Sequence, residues 1–292
     1  MSLATASPAL RIAFWMGFSA IFFGLLMGLV RHVGQDMHIL VISFWRFVFA
    51  FLMFIPWVLK VGFTGMRTTR LGMHTLRTCC LIASSVALLT AVTLMPLDEV
   101  TAISFTTPLF AVIGAMLFLK EQAGPRRWAA LIVGFIGMLI ILRPGIEIFE
   151  FGALLVIFSA LTFAGVILFG KVLSATDTAE QLVFYLALIA VPLSFLPALF
   201  FWQWPSGEQF LLLFLIAVCS NGNMYGIAQA LKAGDASATQ PYDFLRLPTT
   251  AFVGWFAFGE ISDIFTWIGA GVIFASTIYI THREAKQRKL AG

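Results

Sequence analysis

The sequence predicts an all-α polytopic membrane protein whose ten transmembrane helices form two inverted five-helix repeats. Three observations predict this fold class: the composition, a series of long apolar runs, and an internal repeat. Hydrophobic residues make up 60% and charged residues 11% of the 292 residues, and the mean hydropathy is +0.97. Because soluble domains carry far more charge, this composition places most of the chain in a membrane.

The predicted helices follow from runs long enough to cross a bilayer, for which a helix needs ~20 mostly apolar residues. These runs are too long and too continuously apolar for the ~10-residue alternating strands of a membrane β-barrel. The first run is interpreted as a retained helix, because it is long and lacks a persuasive cleavage site. In order, the predicted helices cover residues 10–30, 38–59, 73–94, 100–119, 127–143, 150–173, 180–202, 209–232, 236–258 and 263–281.

The basic residues predict the orientation of these helices. With a cytoplasmic N-terminus, 14 of the 18 Lys and Arg residues, Arg77 among them, fall on the cytoplasmic side. The opposite side holds Arg31 and Arg143, while Arg46 and Arg246 lie inside predicted helices. This asymmetry follows the positive-inside rule, so both termini are expected in the cytoplasm. Topology accounts for the positive charge, and no nucleic-acid partner is predicted.

The second half of the chain repeats the first. The stretch "FSAIFFGLLMGLVR", residues 18–31, matches "FSALTFAGVILFGK", residues 158–171, at an offset of 140 residues. Similar offsets relate later pairs: Pro108 with Pro248, Glu121 with Glu260, and Trp128 with Trp267. We expect repeats at 10–145 and 150–283 and a basic cytoplasmic tail at 284–292. Since five helices is an odd number, the second repeat is inverted, an architecture typical of secondary transporters.

Two pairs of segments carry a family resemblance. "EVTAISFTTPLFAVIGAMLFLKE" with "RRWAALIVGFIGMLIILRPG", and "QPYDFLRLPTTAFVGWFAFGE" with "TWIGAGVIFASTIYI", resemble the paired units of EamA-type transporters in the drug/metabolite transporter superfamily. The resemblance implies a ten-helix carrier of the bacterial inner membrane, with a cavity lined mainly by helices other than the fifth and tenth. It also implies a small metabolite as substrate, such as an amino acid, S-adenosylmethionine or riboflavin.

The stretch "TQPYDFLRLP", residues 239–248, places opposite charges inside the ninth predicted helix. Asp243 and Arg246 are three residues apart, so both lie on one helix face where they can pair. Charges inside a membrane are costly and normally face a cavity or a partner. Two interpretations stay open. Either the two charges serve only to neutralise each other, or the pair contacts substrate or a coupling proton. Tyr242 is a further candidate contact.

The repeat-related prolines, Pro108 and Pro248, predict interruptions in the fourth and ninth helices. Proline lacks an N–H and displaces the carbonyl four residues earlier, so the carbonyls of Ser104 and Phe244 are expected to be freed. Arg246 corresponds to Thr106 in the first repeat, and Asp243 corresponds to an alkyl residue. Thr106 therefore becomes a candidate on the first repeat's side of the same site.

Further polar residues lie within apolar helices. Arg46 has no acid nearby in its own helix, and either a structural role, including pairing with Asp243, or an anion-binding role fits it. Asn221, Tyr225 and Gln229 recur every four residues in the eighth helix. Such a stripe is typical either of helix–helix contact or of a cavity lining.

The sequence favours transport over catalysis. It has no GxxxxGK[ST] phosphate loop, its four His residues lack metal-ligand spacing, and no cofactor or metal is predicted. A channel is the other non-enzyme class.

The favoured function is secondary active transport of an amino acid or a related zwitterionic or anionic solute. The alternatives are export of cationic or drug-like compounds, or import of an S-adenosylmethionine- or riboflavin-type metabolite. Expected partners are a small-molecule substrate and the lipid bilayer, with a homodimer left open.

Overall fold

The computed structural model describes residues 7–34, 36–94, 103–122, 124–142 and 151–258, together with ten residues between 264 and 279. Arg143, Glu260 and the predicted tail 284–292 lie outside this set, as do the predicted repeat boundaries at 145, 150 and 283. In the described ranges the regular structure is helical and no strand occurs. The protein is therefore an all-α membrane protein, as the sequence predicts.

Within the described residues, the helices of the first half are α1 (Pro8–Val33), α2 (Ile39–Leu52), α3 (Ile55–Met66), α4 (Leu71–Leu94), α5 (Thr107–Phe118) and α6 (Pro125–Leu142). The second half contains α7 (Phe151–Leu173), α8 (Ala179–Leu199), α9 (Gly207–Ala233), the short α10 (Ala236–Thr239), a 3-10 helix (Gln240–Leu245) and α11 (Arg246–Phe258). Among the described residues, six spans are long and apolar enough to cross a membrane, with Ile39–Gly62 counted as one span.

The second predicted helix, 38–59, is divided in the structure. It ends as α2 at Leu52 and restarts as α3 at Ile55. Pro56 explains the break, because it has no N–H to donate to the carbonyl of Leu52. A second irregularity lies at Gly62, whose φ of 67° belongs to the left-handed region that glycine adopts without steric penalty.

Two capping boxes begin helices of the second half. Thr178 and Gln181 exchange side-chain and backbone hydrogen bonds at the start of α8. Ser206 and Gln209 do the same at the start of α9. Each box satisfies backbone N–H groups that the first turn of a helix leaves unpaired, so the sequence itself specifies where these two helices begin.

Contacts between the halves follow the internal repeat. α1 of the first half packs on α9, and α7 of the second half packs on α4, which are the repeat-related contacts. α2 packs on α8, its own counterpart. Two such contacts carry matching buried hydrogen bonds. The Asn223 side-chain amide donates to the Ser19 hydroxyl at 2.8 Å, and the hydroxyls of Ser84 and Ser159 lie 2.9 Å apart.

Two glycines in α6 allow close packing. A Cβ atom at Gly134 would lie 2.6 Å from the ring of Phe244. A Cβ atom at Gly137 would lie 3.1 Å from the carbonyl oxygen of Gly269. Both distances are shorter than ordinary contact, so α6 approaches the 3-10 helix and the residues near 269 more closely than a larger residue allows.

Candidate functional site

The predicted ninth helix is three segments rather than one. α10 ends at Thr239, residues 240–245 form the 3-10 helix, and α11 begins at Arg246. Every residue of the 3-10 helix is buried. Non-α backbone at membrane depth is tolerated where protein or a cavity surrounds it, so this segment lies in the interior of the bundle with its charged residues.

Asp243 and Arg246 form an ion pair in this segment. Arg246 Nε lies 3.0 Å from Asp243 Oδ1, and Nη1 donates to Oδ2 at 3.4 Å. The Nε contact is ionic rather than a hydrogen bond, because its N–H is not aligned with the carboxylate. Asp243 is 7% exposed and Arg246 9% exposed. One carboxylate therefore meets two nitrogens of one guanidinium away from solvent.

Two phenylalanines flank the Arg246 guanidinium. Its Cζ atom lies 4.7 Å from the ring centroid of Phe23 and 5.9 Å from that of Phe163. These distances are within the range of cation–π attraction. Phe23 and Phe163 are 140 residues apart, so they are counterparts in the internal repeat. Arg246 thus lies between equivalent positions of α1 and α7, where the two halves meet. Tyr242, beside the pair in sequence, is 1% exposed.

Both prolines lie in the first turn of a helix that follows an interruption. Pro108 is the second residue of α5 and Pro248 the third of α11. The expectation that two carbonyls are freed is corrected by the structure. The Ser104 carbonyl accepts from the Thr107 hydroxyl at 2.7 Å. The Phe244 carbonyl accepts from the backbone N–H of Arg246.

Thr106, the counterpart of Arg246, contacts its own segment. Its hydroxyl donates to the carbonyl of Ile103 at 2.7 Å. On the second-repeat side, the Thr249 hydroxyl reaches the Arg246 carbonyl at 2.9 Å and the Ala20 carbonyl of α1 at 3.0 Å. Threonine hydroxyls therefore stabilise the backbone at the starts of α5 and α11.

Arg46 is a half-buried cation in α2 that makes no hydrogen bond or ion pair within the described part of the chain. Its Nε atom is buried without a hydrogen-bond partner there. The guanidinium carbon lies 4.4 Å from the ring centroid of Phe47. Asp243 pairs with Arg246 instead, so the structure does not contain the predicted Arg46–Asp243 pair. The described residues therefore leave the Nε–H of Arg46 without an acceptor.

The polar stripe of α9 contacts neighbouring helices. The Asn221 side-chain amide donates to the Ala50 carbonyl of α2 at 3.1 Å. The Tyr225 hydroxyl donates to Glu180 Oε1 at 3.0 Å and accepts from Gln229 Nε2 at 2.7 Å. These bonds favour helix–helix contact, and they do not place Asn221 or Tyr225 against the Asp243–Arg246 pair.

Sequence reasoning missed a second buried polar group. Arg77, which the charge count places on the cytoplasmic side, lies in α4 and is 1% exposed. His74, one turn earlier, is 1% exposed and bonded to Asp177 of the α7–α8 connection. The sequence does carry a signal for this group, because an Arg three residues after a His is unusual in an otherwise apolar run. The count of basic residues used Arg77 only to predict the topology.

Comparisons with known proteins agree with this architecture. The model of the EamA-like transporter family matches residues 10–143 and again residues 150–282. A riboflavin transporter of Vibrio cholerae is 34% identical over 84% of this chain and 83% of its own length. A riboflavin transporter of Rhizobium johnstonii is 30% identical over 97% and 95%.

An S-adenosylmethionine uptake transporter of Rickettsia felis is 30% identical over 88% of this chain and 87% of its own length. A solved crystal structure superposes with a TM-score of 0.79 and covers 94% of this chain and 98% of the other. Its 17% identity makes this a similarity of fold alone.

Proposed function

Because the chain belongs to the EamA-like transporter family, we propose that it is a secondary carrier for the uptake of a flat heteroaromatic metabolite, with riboflavin as the first candidate. The relatives described above are named as transporters of riboflavin and of S-adenosylmethionine. These names support the importer alternative better than the amino-acid substrate that the sequence favoured.

The observation that carries the proposal is the position of Arg246 between Phe23 and Phe163. A flat ring system can stack on phenylalanine and on a guanidinium plane. Arginine also presents several N–H donors in one plane, which suits carbonyl oxygens on the edge of such a ring. The isoalloxazine ring of riboflavin combines a large flat surface with two carbonyl oxygens. Substrate would then replace part of the contact that Arg246 makes with Phe23 or Asp243.

S-adenosylmethionine is the second candidate, and the Asp243–Arg246 pair favours it. Its amino and carboxyl groups complement a carboxylate and a guanidinium that lie three residues apart. Its sulfonium carries a further positive charge, however. Arg46 and Arg246 outnumber Asp243 among the candidate charges, so a net cation is disfavoured electrostatically. Riboflavin is neutral and escapes this repulsion.

The proposed mechanism is alternating access around the Asp243–Arg246 pair. The two repeats, 10–145 and 150–283, are the units that move relative to each other, as in other carriers built from inverted repeats. We place the protein in the bacterial inner membrane with both termini in the cytoplasm, because this arrangement satisfies the positive-inside rule. A homodimer is compatible with this mechanism but is not required by it.

A binding measurement on the purified protein tests the proposal. Riboflavin fluorescence should be quenched on binding, and riboflavin should raise the thermal stability of the protein because it binds the folded state. Replacing Phe163 with Leu should weaken binding by roughly tenfold, the equivalent of ~1.4 kcal/mol. Phe158→Leu is the matched control, because Phe158 lies on the same helix, is 49% exposed and has no contact with Arg246.

Uptake into proteoliposomes completes the test. Riboflavin uptake should saturate and should be stimulated by riboflavin on the opposite side, which a channel does not show. If S-adenosylmethionine alone stabilises the protein and is taken up, the second candidate replaces the first. If an amino acid does so and neither flat-ring compound binds, the proposed substrate class is wrong.

A further inference from the structure

A buried polar cluster lies at one end of the bundle, away from the Asp243–Arg246 pair. His74 Nε2 lies 2.6 Å from Asp177 Oδ2, and the Thr68 hydroxyl donates to the same oxygen at 2.9 Å. His74 is 1% exposed and Asp177 4% exposed. Thr68 and His74 come from the first half of the chain and Asp177 from the second. The cluster therefore fastens the two halves together at this end.

Two further cations surround the cluster. Arg77 donates from Nε to the Val166 carbonyl at 3.2 Å and from Nη1 to the Leu182 carbonyl at 3.0 Å, which ties α4 to α7 and α8. Lys232 of α9 donates to the Asp177 carbonyl at 2.8 Å. Bonds to charged groups are stronger than neutral ones, so four helices are held together at this end.

The opposite end has apolar residues at the corresponding positions. Asp177 corresponds to Met37 at an offset of 140, and His74 and Arg77 correspond to Leu213 and Ile216 at 139. All three counterparts are buried in one hydrophobic cluster, which also contains the counterparts of Val166 and Leu182, namely Leu26 and Ile42. Repeat-related positions are thus joined by polar contacts at one end of the bundle and by apolar contacts at the other.

The end that contains His74 is the more tightly closed end in this structure. Ile167 of α7 is 6% exposed, whereas its counterpart Met27 of α1 is 38% exposed. Ala115 of α5 is fully buried, whereas its counterpart Trp255 of α11 is 48% exposed. At these positions the end that contains His74 is the more deeply buried of the two.

We propose that His74, Asp177 and Thr68 form a latch that holds this end closed in one state of the transport cycle, and that protonation of His74 releases it. The proposal rests on the chain being an alternating-access carrier but not on the identity of its substrate. Among the described residues, the apolar cluster at the opposite end contains no titratable pair, so the opening at the His74 end is the one that we expect to depend on pH.

The surroundings of His74 give the sign of this dependence. Nδ1 is buried without a hydrogen-bond partner in the described part of the chain. A neutral ring that donates from Nε2 to the Asp177 carboxylate therefore costs less than a protonated ring, which would bury an unsatisfied N–H. The ring also faces Tyr185 at 4.6 Å, and Arg77 lies three residues further along α4. Burial disfavours a charged ring and a positive Arg77 adds to this effect, while the Asp177 carboxylate opposes it; burial dominates, so the His74 ring is neutral in the closed latch.

Protonation of His74 acts against the closed state, because a proton on Nδ1 leaves a buried donor unpaired. It therefore weakens the closed state relative to the open state. Because the open state binds more protons, acidification should favour opening of this end.

The distance across this end tests the latch directly. Arg67 and Ala175 are exposed residues beside the two halves of the cluster. Spin labels at Arg67→Cys and Ala175→Cys, with Cys79, Cys80 and Cys219 replaced by Ser, should report one short distance at about pH 8. At about pH 5.5 a longer distance should grow in. Asp177→Asn should show the longer distance at both pH values, with a closed-to-open ratio lowered by about tenfold.

Two variants complete the experiment. His74→Gln keeps a side-chain N–H donor but cannot titrate, so it should fold and should show a smaller change between the two pH values. Met37→Leu, at the counterpart of Asp177, is the matched control and should keep the parent's pH response. A parent distance that does not change with pH, or an Asp177→Asn variant with the parent's response, would overturn the latch. Neither result involves substrate, so failure of riboflavin binding leaves this test intact.

Discussion

Removing the charges of Asp243 and Arg246 singly and together separates a structural pair from a functional one. At 3.0 Å and an effective dielectric constant of ~20, two unit charges attract by ~5 kcal/mol. Both residues are less than a tenth exposed, so solvent screens this attraction little. Breaking a buried pair from one side costs ~3–5 kcal/mol, because the remaining charge stays buried without its partner.

The single variants Asp243→Asn and Arg246→Gln should therefore each be less stable than the parent by ~3–5 kcal/mol. The double variant leaves no lone charge, so it should insert and fold with a stability within ~1 kcal/mol of the parent. Riboflavin should no longer stabilise the double variant if the pair contacts substrate, because both the guanidinium and the carboxylate are gone.

The assay is thermal unfolding of the purified protein with and without riboflavin, followed by uptake into proteoliposomes. Arg46→Gln is a useful comparison, because Arg46 has no ion pair in the described part of the chain and its loss should leave no orphaned acid. A double variant that binds and transports riboflavin as the parent does would refute the functional role and leave Asp243 and Arg246 as a structural pair.

Three further predictions address topology, the helix interruptions and the contact between the halves. A reporter fused at Gly292 should read cytoplasmic and one near Ser206 external; an external Gly292 would overturn the inverted topology. Pro108→Ala and Pro248→Ala should each reduce the rate of transport more than the melting temperature, because they allow a helix to extend through an interruption; unchanged uptake kinetics in both would make the interruptions incidental. Asn223→Ala should cost ~1–3 kcal/mol in thermal or denaturant unfolding, since it leaves a fully buried serine partner unsatisfied; a melting temperature equal to the parent's would contradict this.

The fold was predictable because two long-range properties of the sequence specify it. Apolar runs of span length predict membrane helices, and the offset of 140 residues predicts which helices are counterparts. Local backbone geometry was harder to predict from the sequence. The break at Pro56 was not predicted, because the apolar run that defines the second helix continues through Pro56 to residue 59. The 3-10 helix was predicted only as an interruption, since backbone geometry depends on packing against α6.

The site was partly predictable, because a charge inside an apolar run is conspicuous. Asp243, Arg246 and Arg46 were found in this way. Arg77 was missed because it lies near a predicted helix end, where the positive-inside rule assigns arginine to a loop. His74 and Asp177 were missed because their contact joins residues 103 apart. Their apolar counterparts, Leu213 and Met37, are visible in the sequence once the offset is known.

The counterparts around Arg246 bear on how substrate is oriented. Phe23 and Phe163 are the same residue type at equivalent positions, so the rings offer the same surface from both halves. The charges are not equivalent, because Arg246 replaces Thr106 and Asp243 replaces Ile103 of the other repeat. A substrate held only by the rings could bind in two orientations related by the repeat. With charges on one side alone, a flat molecule with one polar edge should bind in a single orientation, with that edge toward α11. Replacing both charges by Asp243→Ile and Arg246→Thr should therefore abolish riboflavin binding, and adding Ile103→Asp and Thr106→Arg to this background should restore it; unimpaired binding in the background alone would show that the rings alone determine the site.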